Sequence, residues 1–172
     1  MTSLPITSDA GPLIHLAKIG LLNLVREIYT TVTIPAEVRA EVVDRGREKG
    51  LADAFLIEEA IRSGWIRVVD VKMTNDFLEL CRRAGVDKGE AEVLRHAKDN
   101  GALALIDDAS PRDLARSLGI SIRGTLGILV EASKKGKLTR TTALEKLDEL
   151  SDIMYMSGEL YKLTRKALEK QA

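Results

Sequence analysis

Short apolar segments rich in β-branched residues alternate along this chain with longer segments in which apolar residues recur every three or four positions. The first pattern predicts buried strands, and the second predicts amphipathic helices. Since a helix follows each predicted strand, the pattern favours an α/β fold, a three-layer α/β/α sandwich around a mostly parallel sheet of about five strands. The predicted strands are residues 4–9, 30–35, 65–71, 102–106 and 119–124.

Capping residues locate several helix ends. Pro35 is predicted to open a helix that runs to about Arg45, and Asp87-Lys88-Gly89-Glu90 has the spacing of a capping box. Ser110, followed by Pro111, is predicted to cap the helix after the fourth strand. No repeat or linker interrupts the pattern, so residues 1–172 are expected to form a single domain with C-terminal helices from about residue 139, capped by Thr139 and Ser157.

Composition narrows the function classes. The 172 residues include 26 Lys and Arg and 26 Asp and Glu, so the chain lacks the basic surplus typical of duplex-DNA binding. Aromatic residues make up only 3%, which argues against a base-stacking sheet of the RRM type. One cysteine, Cys81, and the absence of an apolar leader or membrane-spanning segment favour a cytoplasmic protein.

Two histidines and one cysteine, widely spaced, make a zinc site difficult to build. Any metal site would therefore consist of carboxylates, which are the ligands that Mg²⁺ or Mn²⁺ prefers.

Five acidic residues are expected to converge at one edge of the sheet, because parallel strands and their following helices meet there. Asp9 ends the first predicted strand, and Asp107 and Asp108 follow the fourth. Glu41 lies in the second turn of the helix after the second strand, and Glu90 lies in the first turn of the helix that precedes the fourth. These five carboxylates are the candidate metal ligands and catalytic residues.

Each acid also has a structural interpretation. Asp9, or the Asp107–Asp108 pair, would serve as turn or cap residues, and Glu90 would complete its capping box. Glu41 lies beside the apolar Ile34–Val38–Val42 stripe, where a carboxylate needs a partner. His15 and His96 fall in amphipathic helices and are interpreted as packing or surface residues.

Three arginines are close in sequence to this acidic edge and are candidates for phosphate contacts. They are Arg112, Arg116 and Arg123.

The order and spacing of five segments resemble the PIN-domain family, in its VapC-like toxin branch. These segments are TSDAGPLIHLAKIGLLNLV, IPAEVRAEV, DKGEAEVLRHA, LALIDDASPRDLA and GTLGILVEASKKGKL, which together cover most of the chain. The resemblance implies a metal-dependent endoribonuclease that cleaves RNA, the toxin of a toxin–antitoxin pair. It also implies an antitoxin protein as a partner and a homodimer.

Carried onto this sequence, the family's acidic positions fall on Asp9, Glu41, Glu90 and the Asp107–Asp108 pair, and the resemblance does not decide which member of the pair is the ligand. Glu90 stands where the family more often has aspartate, and the doubled aspartate also departs from its common pattern. Thr125 matches a polar position at the same edge.

Two other functions stay open. A catalytically inactive PIN-like module would bind a protein partner, with Met154, Tyr155, Met156 and Tyr161 as an apolar patch, although residues at helical spacing more often belong to the core. A receiver-type phosphoacceptor domain is a weaker alternative, because its paired acids follow the first strand and it needs a lysine that SIRGTLG lacks.

Overall fold

The computed structural model describes residues 5–170, which contain a five-stranded, all-parallel sheet. Its order is β3-β2-β1-β4-β5, and its strands are β1 (Ile6–Ser8), β2 (Val32–Pro35), β3 (Ile66–Val69), β4 (Leu103–Leu105) and β5 (Ile122–Arg123). Helices cover both faces, so the predicted three-layer α/β/α fold with a parallel sheet is confirmed. Receiver domains use the different order 2-1-3-4-5, which removes the phosphoacceptor alternative.

The central strands β1 and β4 are buried on both faces of the sheet. Every residue of β1 and β4 is buried, as expected for a parallel strand with helices above and below it. Ile6 pairs with Val32 on one side and Leu103 on the other. The core extends from these strands to fully buried helix residues such as Leu94 and Ile128.

One helical layer contains α1, α2, α5 and α9, and the other contains α6, α7 and α8. The bounds are α1 (Ala10–Lys18), α2 (Leu22–Tyr29), α5 (Ala52–Arg62), α6 (Asn75–Arg83), α7 (Lys88–Asn100), α8 (Ala109–Ser117) and α9 (Thr125–Lys134). Two further helices, α10 (Arg140–Ile153) and α11 (Gly158–Glu169), pack against α9. Among residues 5–170, no helix is both long enough and apolar enough to cross a membrane.

The helix after Pro35 departs from the prediction. It comprises α3 (Ala36–Arg39), a π-helical segment (Ala40–Arg45) and α4 (Gly46–Glu48), rather than one regular helix ending at about Arg45. The π segment carries Glu41, and single turns of this kind are frequent at functional sites.

Capping predictions were confirmed at three helices and wrong at one. Asp87, Thr139 and Ser157 each accept the expected backbone hydrogen bond. The predicted Ser110 cap is wrong, because α8 begins at Ala109 with Asp108 in the N-cap position. Pro111 fits inside the first turn because the N–H groups there have no intrahelical acceptor to lose.

Candidate metal centre

The candidate site lies at the carboxyl edge of the sheet, where the strand order switches between β1 and β4. The Asp9 N–H donates a hydrogen bond of 2.9 Å to the Leu105 carbonyl, which fixes the end of β1 beside the end of β4. Parallel α/β sheets bind ligands at such a switch point, because the connecting helices leave in opposite directions and open a crevice.

Three of the predicted acids meet in this crevice. Asp9, Glu90 and Asp108 each offer a carboxylate oxygen, and these oxygens all lie within 4.8 Å of one another. Asp9 and Glu90 are buried, whereas Asp108 is exposed, so the cluster has one side open to solvent. The three residues come from β1, α7 and the β4–α8 turn, and their convergence depends on the parallel topology.

The structural interpretation of Asp9 as a cap is not supported. Asp9 occupies the N-cap position of α1, but its side chain makes no capping hydrogen bond. Asp108 likewise stands at the N-cap position of α8 without a side-chain cap. Neither carboxylate therefore caps the helix that it precedes.

Glu90 takes part in the capping box of α7 and also lies in the acidic cluster. Its Oε2 accepts the Asp87 N–H at 2.9 Å, and its own N–H donates to Asp87 Oδ1 at 2.9 Å, which completes the predicted capping box. The same carboxyl group belongs to the acidic cluster, where one of its oxygens lies within 4.8 Å of a carboxylate oxygen of Asp108. The capping box thus holds the Glu90 side chain toward the crevice.

Burial and nearby negative charge make the ionised forms of these carboxyl groups unfavourable. Burial raises the pKa of Asp9 to about 7; the Ala10 N–H opposes this shift, while the charges of Glu90, Glu41 and Asp87 add to it. Burial also raises the pKa of Glu90 to about 7, and the charges of Asp87 and Asp108 add to the shift. A bound cation would remove this electrostatic penalty.

Glu41 lies at the margin of the cluster. It is not among the three carboxylates that lie within 4.8 Å of one another, yet its charge contributes to the raised pKa of Asp9. Partial burial raises the pKa of Glu41 itself, with a smaller contribution from Asp108. The π segment therefore brings a fourth acid close to the other three.

Asp107 is bound by other groups. Its Oδ1 accepts the Thr125 N–H at 2.7 Å, and its Oδ2 accepts the Thr125 hydroxyl at 2.7 Å and lies 2.8 Å from His15 Nδ1. Burial alone would raise the pKa of Asp107, but these hydrogen bonds together outweigh it and lower the pKa. Asp107 thus ties the end of β4 to α1 and α9.

Two neighbours of Asp107 show how tightly this turn is packed. A Cβ on Gly124 would lie 2.9 Å from Asp107 Oδ1 and 3.0 Å from Arg112 Nη1, so only glycine fits at this position without displacing them. The Arg112 guanidinium donates to the Ile106 carbonyl at 2.9 Å. The sequence interpretation of His15 as an ordinary packing or surface residue missed its contact with Asp107, which lies 92 residues away in the chain.

Fold and site together define a parallel α/β domain with an acidic crevice at its topological switch point. A family model described as a PIN domain matches residues 5–170, and the chain belongs to the PIN-domain family. PIN domains have a nuclease-type fold and are generally metal-dependent nucleases.

A solved structure supports the same fold. The chain resembles PAE2754 from Pyrobaculum aerophilum, with a TM-score of 0.52 and 16% identity over 77% of this chain and 93% of that chain. At this identity the likeness concerns the fold. No match was found among curated proteins.

Proposed function

We propose that this protein is a metal-dependent endoribonuclease that hydrolyses RNA phosphodiester bonds. The observation that carries the proposal is the cluster of Asp9, Glu90 and Asp108, three carboxylates held within 4.8 Å at the switch point of a PIN fold. Carboxylates brought this close without a countercharge are unfavourable, and a divalent cation is the partner that neutralises them.

The donor set fits Mg²⁺ or Mn²⁺. All three candidate ligands are carboxylates, which suit hard divalent cations, and the exposed side of the cluster leaves room for water and substrate. Burial and the neighbouring acids raise the pKa values of Asp9 and Glu90, so their charged forms are unfavourable without a cation, which supports the proposal. Asp108 is therefore proposed as the ligand of the aspartate pair, and Asp107 as the residue that positions it.

The division of work among the side chains follows from their contacts. Asp9, Glu90 and Asp108 would hold the cation, and Glu41 adds negative charge beside them. When bound, the cation supplies an activated water and offsets charge on the phosphate. Asp107, clamped by Thr125 and His15, keeps the β4–α8 turn in the conformation that presents Asp108.

The direct test is cleavage of a labelled RNA with Mn²⁺ or with EDTA. We expect wild-type protein to cleave only with the metal, and Asp9→Asn to lower the rate by about a thousandfold, because it removes a ligand from the cluster. Asp76→Asn, an exposed acid in the first turn of α6, is the matched control and should cleave normally. Cleavage in EDTA, or an unaffected Asp9→Asn variant, would refute the proposal.

The VapC-like toxin assignment, the antitoxin partner, the homodimer and the cytoplasmic location belong to the same proposal. The first three are supported by the resemblance of the motifs, such as the DKGEAEVLRHA and LALIDDASPRDLA segments, and the cytoplasmic location is supported by the single cysteine, Cys81. Induced expression in a bacterial host should arrest growth, and Asp9→Asn should relieve the arrest. Equal arrest by both chains would contradict a nuclease toxin.

The alternative is a catalytically inactive interaction module. It is favoured by exposed apolar side chains near the α10–α11 connection, including Tyr155 and Leu163, of which 94% and 59% are exposed. A module of this kind would keep its partner affinity when Asp9 is neutralised, and it would not cleave RNA in any metal.

A further inference from the structure

A groove lies beside the edge strand β5. It has a volume of about 820 Å³ and runs between β5 with α9 on one side and α11 on the other. Asp107 and Arg112 line one end of the groove, and the Met154–Tyr155 connection also borders it. Asp107 directly precedes Asp108 in the chain, so this end of the groove is one residue away from the candidate metal centre along the backbone.

The groove combines apolar surface with basic charge. Leu160 and Leu163 of α11 are exposed along it, and the Tyr155 ring is almost fully exposed to solvent. The basic residues that line it are Arg112, Arg123, Lys134 and Lys135. Against these four stand two acids: Asp107, which is bound by Thr125 and His15, and Glu131, which pairs with Arg123 and Lys135.

The basic surplus of the groove is local, because the formal net charge of the whole chain is zero. A local basic surplus beside an acidic metal centre suits a polyanion whose reacting phosphate lies at the metal and whose neighbouring phosphates lie along the groove. Exposed aromatic and aliphatic side chains suit unpaired bases, because base–aromatic stacking does not depend on sequence. The volume suits one or two nucleotides, on the order of a small-molecule pocket.

We propose that the groove between β5–α9 and α11 binds a single-stranded RNA segment next to the scissile phosphate, with Tyr155 stacking on a base and Lys134 and Lys135 contacting phosphates. This proposal rests on the proposed nuclease function. It makes the C-terminal helices part of the substrate site and predicts that single-stranded RNA is preferred over duplex RNA, whose bases are not available for stacking.

The test is fluorescence anisotropy with a labelled 12-nucleotide single-stranded RNA and a hairpin RNA of matched length. All variants are made in the Asp9→Asn background, which prevents cleavage and removes one repelling charge from the crevice. We expect Tyr155→Ala to weaken single-strand binding at least fivefold, and Tyr155→Phe to restore it, because the phenyl ring stacks equally well.

Salt dependence separates stacking from phosphate contact. Lys134→Ala/Lys135→Ala should reduce the slope of log affinity against log salt by about 1.4, since each single-strand phosphate contact contributes roughly 0.7. Tyr155→Ala should leave that slope unchanged. The matched controls are Arg82→Ala/Arg83→Ala, an exposed basic pair at the end of α6, and Phe55→Ala, an exposed aromatic on α5; both should bind RNA like the background protein.

Several results would overturn the proposal. These are no binding of the single strand, equal affinity for the hairpin, or unchanged affinity in the Tyr155 and lysine variants while their circular dichroism melts match the background. A further contrary result is a dimer in sedimentation that Tyr155→Ala dissociates without loss of RNA affinity, because the groove would then be a self-association surface.

Failure of the groove and failure of the nuclease are distinguishable. Cleavage is measured separately in chains that retain Asp9, with Mn²⁺ present. Cleavage with unaffected groove variants refutes the groove alone, whereas groove-dependent binding without any cleavage refutes the nuclease alone.

Discussion

Asp107 and the two acids Asp9 and Glu90 lie at the same edge of the sheet, but their surroundings have opposite effects on their pKa values. Asp107 accepts hydrogen bonds from Thr125 and lies within hydrogen-bonding distance of His15, and its pKa is lowered. Asp9 and Glu90 are buried near other acids, and their pKa values are raised to about 7. A carboxylate whose charge is already satisfied serves the scaffold, whereas carboxylates whose charges are mutually unfavourable form a place for a cation.

The largest expected effect concerns metal-dependent stability. At pH 8 and Mn²⁺ near a hundred times its Kd, the melting temperature of the wild type should rise by roughly 5–10 °C. Asp108→Asn should lose most of this rise because it removes a ligand, whereas Asp107→Asn should retain it. Differential scanning fluorimetry with and without EDTA provides the measurement. The reverse pattern would make Asp107 the ligand and break the comparison.

The next largest expected effect is the loss of stability when the hydrogen-bonded carboxylate of Asp107 is replaced. Asp107→Asn should lower the free energy of unfolding by about 2 kcal/mol, since one carboxylate oxygen becomes an NH2 group, and Thr125 and His15 place donors at both oxygens of Asp107. Urea unfolding in EDTA at pH 7 measures this. The control is Asp113→Asn, because Asp113 is exposed and pairs with Arg116; it should change stability by less than about 0.5 kcal/mol. Equal effects of the two substitutions would show that the Asp107 contacts add nothing.

The stability of the metal-free protein should depend on pH because of Asp9 and Glu90. The raised pKa values mean that folded Asp9 and Glu90 hold protons that the unfolded chain has released between about pH 4 and 7. The free energy of unfolding should therefore fall as pH rises through this range, because the folded protein binds more protons than the unfolded chain.

Urea unfolding in EDTA from pH 5 to pH 8 tests this, and Asp9→Asn should flatten the decline because asparagine does not titrate. Asp76→Asn is again the control, with a profile like that of the wild type. Stability that rises over this range would show that the cluster is not strained by its own charge.

The smallest expected effect is the loss of one hydrogen bond, which the Thr125 hydroxyl donates to Asp107. Thr125→Val should cost about 1 kcal/mol, because Asp107 Oδ2 loses the hydroxyl donor while the backbone N–H remains. Thr125→Ser keeps the hydroxyl and should lose less. If valine and serine behave alike in urea unfolding, the Thr125 hydroxyl does not stabilise Asp107.

Much of the fold was predictable because it depends on local pattern. The short strand-like segments and the intervening amphipathic helices predicted a parallel sheet, and parallel strands place their following residues at one edge. Asp9 and the aspartate pair were candidates for that reason. The Asp87–Glu90 capping box was also predictable, since its partners are three residues apart.

The local sequence pattern did not predict contacts between residues that are close in space but distant in sequence. The residues that distinguish Asp107 from Asp108 are His15 and Thr125, and nothing about helical periodicity assigns His15 to a carboxylate on another element. The π-helical turn around Glu41 was also beyond the pattern, because apolar spacing does not separate it from a regular helix.

The sequence alone therefore determined the elements, the parallel sheet and the set of acids at its edge, because these depend on residue periodicity and chain direction. Only the tertiary structure decided which carboxylates approach one another, which one is held by hydrogen bonds, and that Tyr155 borders a groove beside them. These outcomes depend on how α1, α7, α9 and α11 pack around the sheet, and packing is a property of the whole chain.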